Sequence, residues 1–323
     1  MADAAITSVL PAELRSLLRS HPLRLAWPVA GRRTGMHRSR RVGQGQDFRD
    51  HRPYVPGDDL RQLDWRAAAR HDRLVLRRTE AEQALNLVLL VDGHGGMAYG
   101  EPGETKWRTA GAMATALATL ALRQGDSVGY AHVGHEGVEA ERLRPTQDRA
   151  RLERLASHFV APPEQGRGAW RELVQSLPAQ LRSRSLVVVL SDFLDLAVRP
   201  EDDADQAEAE LLDGLALLRG RQHEVVLLQV LHRDEIDFPF NDPRVIRFED
   251  LRGRLRPVEA PGSELRSTYL ERMQAHLDGF AEGAERRGLR LHRLVSDQPL
   301  TSGLLELLAR IAGEPAVQPG DFA

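Results

Sequence analysis

Two aspartates that each follow a short apolar run are the residues of this sequence best suited to chemistry. Asp92 follows the run at 85–91. Asp192 follows the run at 186–190, with Ser191 between the run and the carboxylate. Apolar runs this short, ending at polar residues, are typical of strands buried on both faces. Ligands of open α/β sheets bind above the carboxyl ends of the strands, so we expect both carboxylates at one sheet edge, where oxygen donors suit a hard cation. The alternative, that each aspartate only caps the following helix, stays open.

The residues after Asp92 extend this candidate site. Glycines at 93, 95 and 96 allow a ligand to approach the backbone closely, and His94 offers an imidazole to a transition metal. His132 and His135 flank a strand end, where they are more typical of loop residues than of ligands. The sequence has no GxSxG, HExxH or GxxxxGK[ST] motif and no marked nucleophile. We therefore expect no catalytic residue and no cofactor.

Composition excludes several classes of function. The chain has 323 residues, of which 41% are hydrophobic and 28% charged, as in soluble globular proteins. A net charge of −3 gives no global attraction to nucleic acid, and the absence of cysteine excludes disulfides and zinc–thiolate sites. No apolar run reaches the roughly 18–20 residues of a membrane helix, so we expect a cytoplasmic protein without membrane insertion. Lys106 is the only lysine, which we interpret as composition bias in an arginine-rich chain.

The elements that position the aspartates alternate along the chain. From residue 85 onward, apolar runs alternate with segments of helical spacing, which indicates right-handed crossovers and a mainly parallel α/β sheet flanked by helices, a Rossmann-like fold. Predicted strands are 85–91, 127–133, 186–190, 225–231 and 289–295, with possible short strands at 245–248 and 254–258, and predicted helices are 105–123, 146–159, 169–181, 207–218, 263–287 and 300–311.

The N-terminal part does not follow this alternation. Residues 1–24 are predicted to form one amphipathic helix with Pro11 in its first turn, and alternation at 74–78 predicts an edge or linking strand. We divide the chain into this helix, a β-rich or irregular extension at 25–84, the main domain at 85–312 and a tail at 313–323.

The extension carries the densest polar motif. Turn residues are followed by charges that alternate around a tryptophan, which is what a partly buried Arg–Asp network requires. We interpret the motif as a structural clamp, with a catalytic constellation as the alternative. Its members are Pro56, Gly57, Asp58, Asp59, Arg61, Asp64, Trp65 and Arg70. Upstream, arginines between 32 and 41 form either a solvated basic face or a contact with an acidic partner.

Several segments together resemble the bacterial domain-of-unknown-function family 58. They are GQGQDF at 43–48, RPYVPGDDLR at 52–61, LDWRAAAR at 63–70 and LLVD at 89–92. The match continues through GDSVG at 125–129 and SDF at 191–193 and covers roughly residues 25 to 312. The resemblance implies a von Willebrand factor type A-like domain that works with a MoxR-type AAA+ ATPase.

The resemblance also implies a degenerate metal-ion-dependent adhesion site (degenerate MIDAS). Working sites of this type carry Asp-x-Ser-x-Ser, a threonine and a second aspartate. Here Asp92 and Asp192 match the aspartates, but His94 and Gly96 replace the serines and Arg167 lies where the threonine is expected. Too few oxygen donors remain for magnesium, and Arg167 would supply the positive charge, so we expect no resident metal.

These observations lead to three hypotheses of function. The first, which the resemblance implies, is a non-enzymatic adaptor or co-chaperone that binds a MoxR-type AAA+ ATPase and client proteins, with the sheet edge as its recognition face. The second is a divalent-metal-dependent hydrolase or phosphoryl-transfer enzyme that uses Asp92 and Asp192. The third, nucleic-acid binding through the arginines at 32–41, conflicts with the net charge and lacks interleaved aromatic residues.

Overall fold

The computed structural model describes residues 2–24, 42–43, 47–55, 63–71, 74–80, 84–133, 143–163, 170–181, 183–194, 204–251, 253 and 255–313. The strands are β1 (Val42–Gly43), β2 (Asp47–Pro53), β3 (Val75–Glu80), β4 (Asn86–Asp92), β5 (Ser127–Val133), β6 (Leu186–Ser191), β7 (Glu224–Leu231), β8 (Val245–Phe248), β9 (Val258–Pro261) and β10 (Arg290–Val295). The helices are α1 (Ala2–Val9), α2 (Ala12–Ser20), α3 (Trp65–His71), α4 (Lys106–Arg123), α5 (Arg149–His158), α6 (Trp170–Gln180), α7 (Ala204–Gly220), α8 (Arg233–Asp237), α9 (Gly262–Arg286) and α10 (Leu300–Ala312), with a 3-10 turn at Gly95–Ala98.

The central sheet has five parallel strands in the order β10-β7-β6-β4-β5. This arrangement confirms the predicted α/β fold, a Rossmann-like parallel sheet flanked by helices. After β5 the chain crosses to the other side of β4 and continues outward through β6, β7 and β10. The winding therefore reverses between β4 and β6, and the carboxyl ends of these two strands border the crevice where ligands of such sheets bind.

Helices cover both faces of the sheet, as the alternation of side chains along β4 illustrates. Leu87, Leu89 and Val91 pack into a core cluster with side chains of α1, α2, α4, α5 and α10. Val88 and Leu90 face the opposite cluster, which contains side chains of α6, α7 and α9. Successive strand residues point to opposite faces, so a strand buried on both faces has the continuous apolar run that the sequence contains.

The single N-terminal helix predicted for residues 1–24 is wrong, because two helices form there. α1 ends at Val9, and Pro11 is the N-cap of α2 rather than a residue inside its first turn. Proline lacks the backbone N–H that a continuous helix needs and its ring clashes with the preceding turn. Leu10, Leu14 and Leu18 are buried against the body of the protein.

The extension contains a separate antiparallel sheet in the order β1-β3-β2. β3 is therefore the middle strand of this small sheet, and its predicted role as an edge or linking strand is wrong. The other short strands form a hairpin, β8 with β9, in which β9 begins at Val258, where the strand predicted at 254–258 ends. Pro56, Gly57, Asp58, Asp59 and Arg61 lie outside the described residues.

Asp64 acts as a cap for α3. Its Oδ1 accepts a hydrogen bond from the backbone N–H of Ala67 at 3.0 Å, and its own N–H donates to Val75 of β3 at 2.9 Å. Trp65, by contrast, is 66% exposed, and Arg70 is exposed. The expectation of a charged network buried over Trp65 is therefore wrong at the tryptophan, whereas the structural role of Asp64 agrees with the described contacts.

We expect Asp64→Ala to lower the free energy of unfolding by about 0.5–2 kcal/mol, the usual cost of losing a helix cap. Asp64→Asn keeps a side-chain oxygen acceptor and should retain most of the stability. Urea denaturation of both variants measures the difference. A loss of about 3–5 kcal/mol in Asp64→Ala would instead indicate a broken buried charge pair and contradict the capping role.

Candidate functional site

Hydrogen bonds to both carboxylate oxygens hold Asp92 in place. It is the last residue of β4 and is fully buried. One carboxylate oxygen, Oδ1, lies 2.7 Å from His94 Nδ1 and accepts from the backbone N–H of His94 at 3.2 Å. The other, Oδ2, accepts from Ser191 Oγ at 2.5 Å and from Trp170 Nε1 at 3.3 Å. Side chains from β6 and α6 therefore hold the carboxylate at the switch point.

Asp192, at the end of β6, is equally buried. Its Oδ1 accepts from the backbone N–H of Leu194 at 2.9 Å, and its carbonyl accepts from Gln229 Nε2 at 3.1 Å. His94 Nε2 lies 3.7 Å from Asp192 Oδ1, so the imidazole sits between the two aspartates. One ligand atom from each of Asp92, His94 and Asp192 lies within 4.8 Å of the others. Each aspartate also accepts a hydrogen bond from the backbone N–H two residues ahead, which is a local turn contact. The alternative that Asp92 caps the following helix is wrong, because His94 is the N-cap of the 3-10 turn and Thr105 that of α4.

Lys106 is the functional side chain that the sequence analysis missed. Its Nζ donates to Asp192 Oδ2 at 2.6 Å and to Glu235 Oε1 at 2.5 Å, and its side chain is fully buried. Burial by itself would lower the pKa of Lys106, but the negative charges of Asp192 and Glu235 outweigh it and the pKa is raised. Lys106 is therefore an ammonium ion at neutral pH.

The sequence contained one signal for Lys106. The residue is the only lysine among 44 lysine and arginine residues, and it begins the helix that follows Asp92. Composition bias accounts for the excess of arginine but not for the position of the one lysine. Arg167, which we expected to supply the positive charge, lies outside the described residues.

Glu235 is held by the short helix α8. The backbone N–H of His232 donates to Glu235 Oε2 at 2.8 Å, while the N–H of Asp234 donates to His232 Nδ1 at 3.2 Å. Tyr269 on α9 donates its hydroxyl to the carbonyl of Glu235 at 2.9 Å. Lys106 consequently joins the end of β6 to the segment that follows β7.

Two tyrosines near Glu235 have raised pKa values. Burial, Asp234 and Glu235 raise the pKa of Tyr99 to about 12, and its hydroxyl lies 3.4 Å from Asp234 Oδ2. Burial, followed by the charge of Glu235, also raises the pKa of Tyr269. Both phenols therefore stay protonated at neutral pH and act as hydrogen-bond donors.

The expectation that the sheet edge forms an exposed recognition face is wrong for the described residues. Asp92, His94, Gly96 and Asp192 are all buried. The side chains of Lys106 and Trp170, at the starts of α4 and α6, donate hydrogen bonds to the buried carboxylates of Asp192 and Asp92. These residues can position other groups, but a partner protein cannot touch them in this arrangement.

The imidazole of His132 fills the space beside Gly93. A Cβ atom at Gly93 would overlap the imidazole of His132. Glycine is therefore needed here for packing within the protein, and the predicted close approach of a ligand is not its reason. His132 lies within β5, half-buried beside Trp107, so its predicted loop position is wrong; His135 lies outside the described residues.

The donor set does not fit a resident magnesium ion. Both oxygens of Asp92 already accept hydrogen bonds, and Asp192 Oδ2 and Glu235 Oε1 contact the ammonium of Lys106. Magnesium requires near-octahedral oxygen coordination and calcium six to eight oxygens. The place that a cation would take beside Asp192 is held by a charged side chain.

Fold and site together define an α/β protein with a closed polar cluster at the switch point of its sheet. The family model described as protein of unknown function DUF58 matches residues 50–279, and the chain belongs to this family. Uncharacterized proteins of Mycobacterium bovis and of Mycobacterium tuberculosis are each 25% identical over 230 residues, which is 70% of this chain and 68% of theirs.

Three solved structures are similar at low identity. An aerotolerance-related membrane protein from Bacteroides fragilis has a TM-score of 0.40 and 12% identity, covering 71% of this chain and 100% of its own. The RO (RSR) protein of Deinococcus radiodurans has a TM-score of 0.33 and 16% identity, covering 72% and 35%. An uncharacterized membrane-spanning protein from Vibrio fischeri has a TM-score of 0.25 and 14% identity, covering 72% and 100%.

The expectation of a cytoplasmic protein is contradicted by these comparisons, because two of the three similar structures are described as membrane proteins. In the part of the chain that the structure describes, no helix combines the length and apolarity required to cross a bilayer.

We expect Ser191→Ala to lower the free energy of unfolding by about 1–3 kcal/mol, because it removes a donor to the buried carboxylate of Asp92. The same hydroxyl also accepts from the N–H of Phe193 at 2.9 Å. Ser157→Ala is the matched control: its hydroxyl bonds the carbonyl of Arg154 on an exposed helix face, and its loss should cost less than about 0.5 kcal/mol. Equal losses in the two variants, measured by urea denaturation, would contradict the role of Ser191.

Proposed function

We propose that this protein is a non-enzymatic protein-binding module, an adaptor or co-chaperone for a MoxR-type AAA+ ATPase in the assembly or maturation of other protein complexes. The observation that carries the proposal is the closed cluster of Asp92, Asp192, Lys106 and Glu235. Lys106 pairs with Asp192 and Glu235, and Asp92 accepts hydrogen bonds from Ser191 and Trp170, so the cluster suits a scaffold that fixes neighbouring loops.

The loop that this scaffold fixes is the segment 99–105 between the 3-10 turn and α4, here called the rim loop. Residues 101–104 are exposed. The rim loop closes on itself, because the N–H of Lys106 donates to the carbonyl of Tyr99 at 3.0 Å. Gly100 and Gly103 have φ angles of 125° and 101°, which favour glycine. An exposed loop of defined shape, anchored in a buried cluster, suits recognition of another protein.

The charge of the rim loop indicates the surface it would bind. Glu101 and Glu104 are exposed at its tip, and Asp234 lies beside Tyr99 at its base. A basic surface on the partner would complement these carboxylates and would make association sensitive to salt.

The AAA+ ATPase enters the proposal through the resemblance of the motifs at 43–48, 52–61, 63–70 and 89–92. Such ATPases change conformation with bound nucleotide, and an adaptor is useful when it binds one state more tightly than another. A recognition loop of fixed shape suits an adaptor that binds one nucleotide state of the ATPase more tightly than the others.

A metal-dependent hydrolase or phosphoryl-transfer enzyme is the second candidate, favoured by the close approach of Asp92, His94 and Asp192. In this reading the aspartates would bind a divalent cation. Hydrolysis of a generic phosphate ester that requires Mn²⁺ and is lost in Asp92→Asn would support it. The adaptor proposal expects no such activity.

We expect the double reversal Glu101→Arg and Glu104→Arg to weaken binding of the cognate ATPase by about tenfold, equivalent to about 1.4 kcal/mol. The reason is loss of complementary charge, so the effect should shrink as salt is raised. Pull-down at several salt concentrations measures it.

The matched control is Glu271→Arg with Glu285→Arg, which makes the same change of net charge at exposed positions of α9. Binding should be retained in this control. If binding survives reversal of the rim loop but is lost when residues 31–46 are deleted, the arginine-rich segment forms the interface and the rim-loop assignment is wrong.

A further inference from the structure

We infer that the ammonium of Lys106 is a tethered cation that takes the place of a divalent metal at this sheet edge, and that removing it creates a metal site. The inference concerns the buried cluster alone. It holds or fails independently of whether the protein binds an ATPase.

The distances place the ammonium where an ion would be. Nζ of Lys106 lies 2.6 Å from Asp192 and 2.5 Å from Glu235, each measured to a carboxylate oxygen. Calcium lies about 2.3–2.6 Å from its oxygen ligands, so an ion and this ammonium would compete for one position.

The groups next to this position are ones that a transition-metal ion binds: Asp192 and Glu235 contact the ammonium, and His94 lies beside the other carboxylate oxygen of Asp192. His94 lies between the two aspartates, 2.7 Å from Asp92 and 3.7 Å from Asp192. Carboxylate oxygens and an imidazole are suitable ligands for Mn²⁺, with water completing the coordination. Without Lys106, the carboxylates of Asp192 and Glu235 would remain as donors with no ammonium between them.

Helix preference does not explain a lysine at this position. Lys106 is the first residue of α4, where the helix dipole disfavours a positive side chain. The attraction of Asp192 and Glu235 must overcome this effect as well as burial. A compact ammonium on a flexible stem suits a buried position between two oxygens better than the wider, planar guanidinium does, in a chain that otherwise uses arginine.

The test is a titration of the full chain with Mn²⁺. Calorimetry measures binding, and thermal denaturation measures stability with and without the metal. Wild type and Lys106→Arg should show no saturable binding, because both keep a cation in the cluster. Lys106→Ala should be less stable than wild type without metal and, unlike wild type, should bind Mn²⁺ saturably. Adding Asp192→Asn to Lys106→Ala should abolish the gain.

Two results overturn the inference. One is saturable Mn²⁺ binding by wild type that is lost in Asp192→Asn, since metal and ammonium would then coexist. The other is a folded Lys106→Ala variant with no response to Mn²⁺. If Lys106→Ala folds only when Mn²⁺ is present, the inference is supported. If Lys106→Ala does not fold with or without Mn²⁺, the double variant Lys106→Ala with Glu235→Gln is tested in its place. This variant removes one charge of each sign. Saturable Mn²⁺ binding by the double variant supports the inference, and a folded double variant with no response to Mn²⁺ overturns it.

Discussion

The contact of one buried ammonium with two carboxylates is the interaction on which this end of the sheet depends. Lys106 starts α4, Asp192 directly follows β6 and Glu235 lies in α8 after β7, so a single side chain joins three segments that are distant in sequence. Removing one partner of such a group leaves an uncompensated buried charge, which typically costs about 3–5 kcal/mol. The loops here are consequently held in one arrangement by charge as well as by packing.

The parallel sheet and most of its helices were predictable, because a strand buried on both faces leaves a local signature. The run at 85–91 is apolar since its side chains enter two cores, one on each side of the sheet. The same reasoning placed Asp92 and Asp192 at the carboxyl ends of their strands. Strand order was also constrained, because right-handed crossovers allow few arrangements. Local sequence patterns were therefore sufficient to predict the alternating strands and helices of the parallel sheet.

The predictions failed where a residue's role depends on side chains far away in sequence. Nothing local to Glu235 indicates that its carboxylate meets Lys106, 129 positions earlier. Gly93 looked like a place for a ligand, but its lack of a Cβ makes room for His132. The polar residues at the sheet edge looked exposed because sequence patterns do not show which side chains fold over them. Pro11 is the exception, since the helix break it imposes is local and was available from the sequence.

A tethered cation has a consequence that an exchangeable metal does not. A metal site can be emptied or filled as ion concentration changes, and the loops around it then have two states to occupy. The ammonium of Lys106 is covalently attached and its pKa is raised, so at neutral pH the cluster keeps its charge and the rim loop keeps its anchor. If the protein is the proposed adaptor, the switch would lie in the partner: the nucleotide would change the ATPase, and the adaptor would present one constant surface that binds one of its states. Any regulation of the adaptor itself would then have to act on exposed residues such as those at 101–104 rather than on the buried cluster.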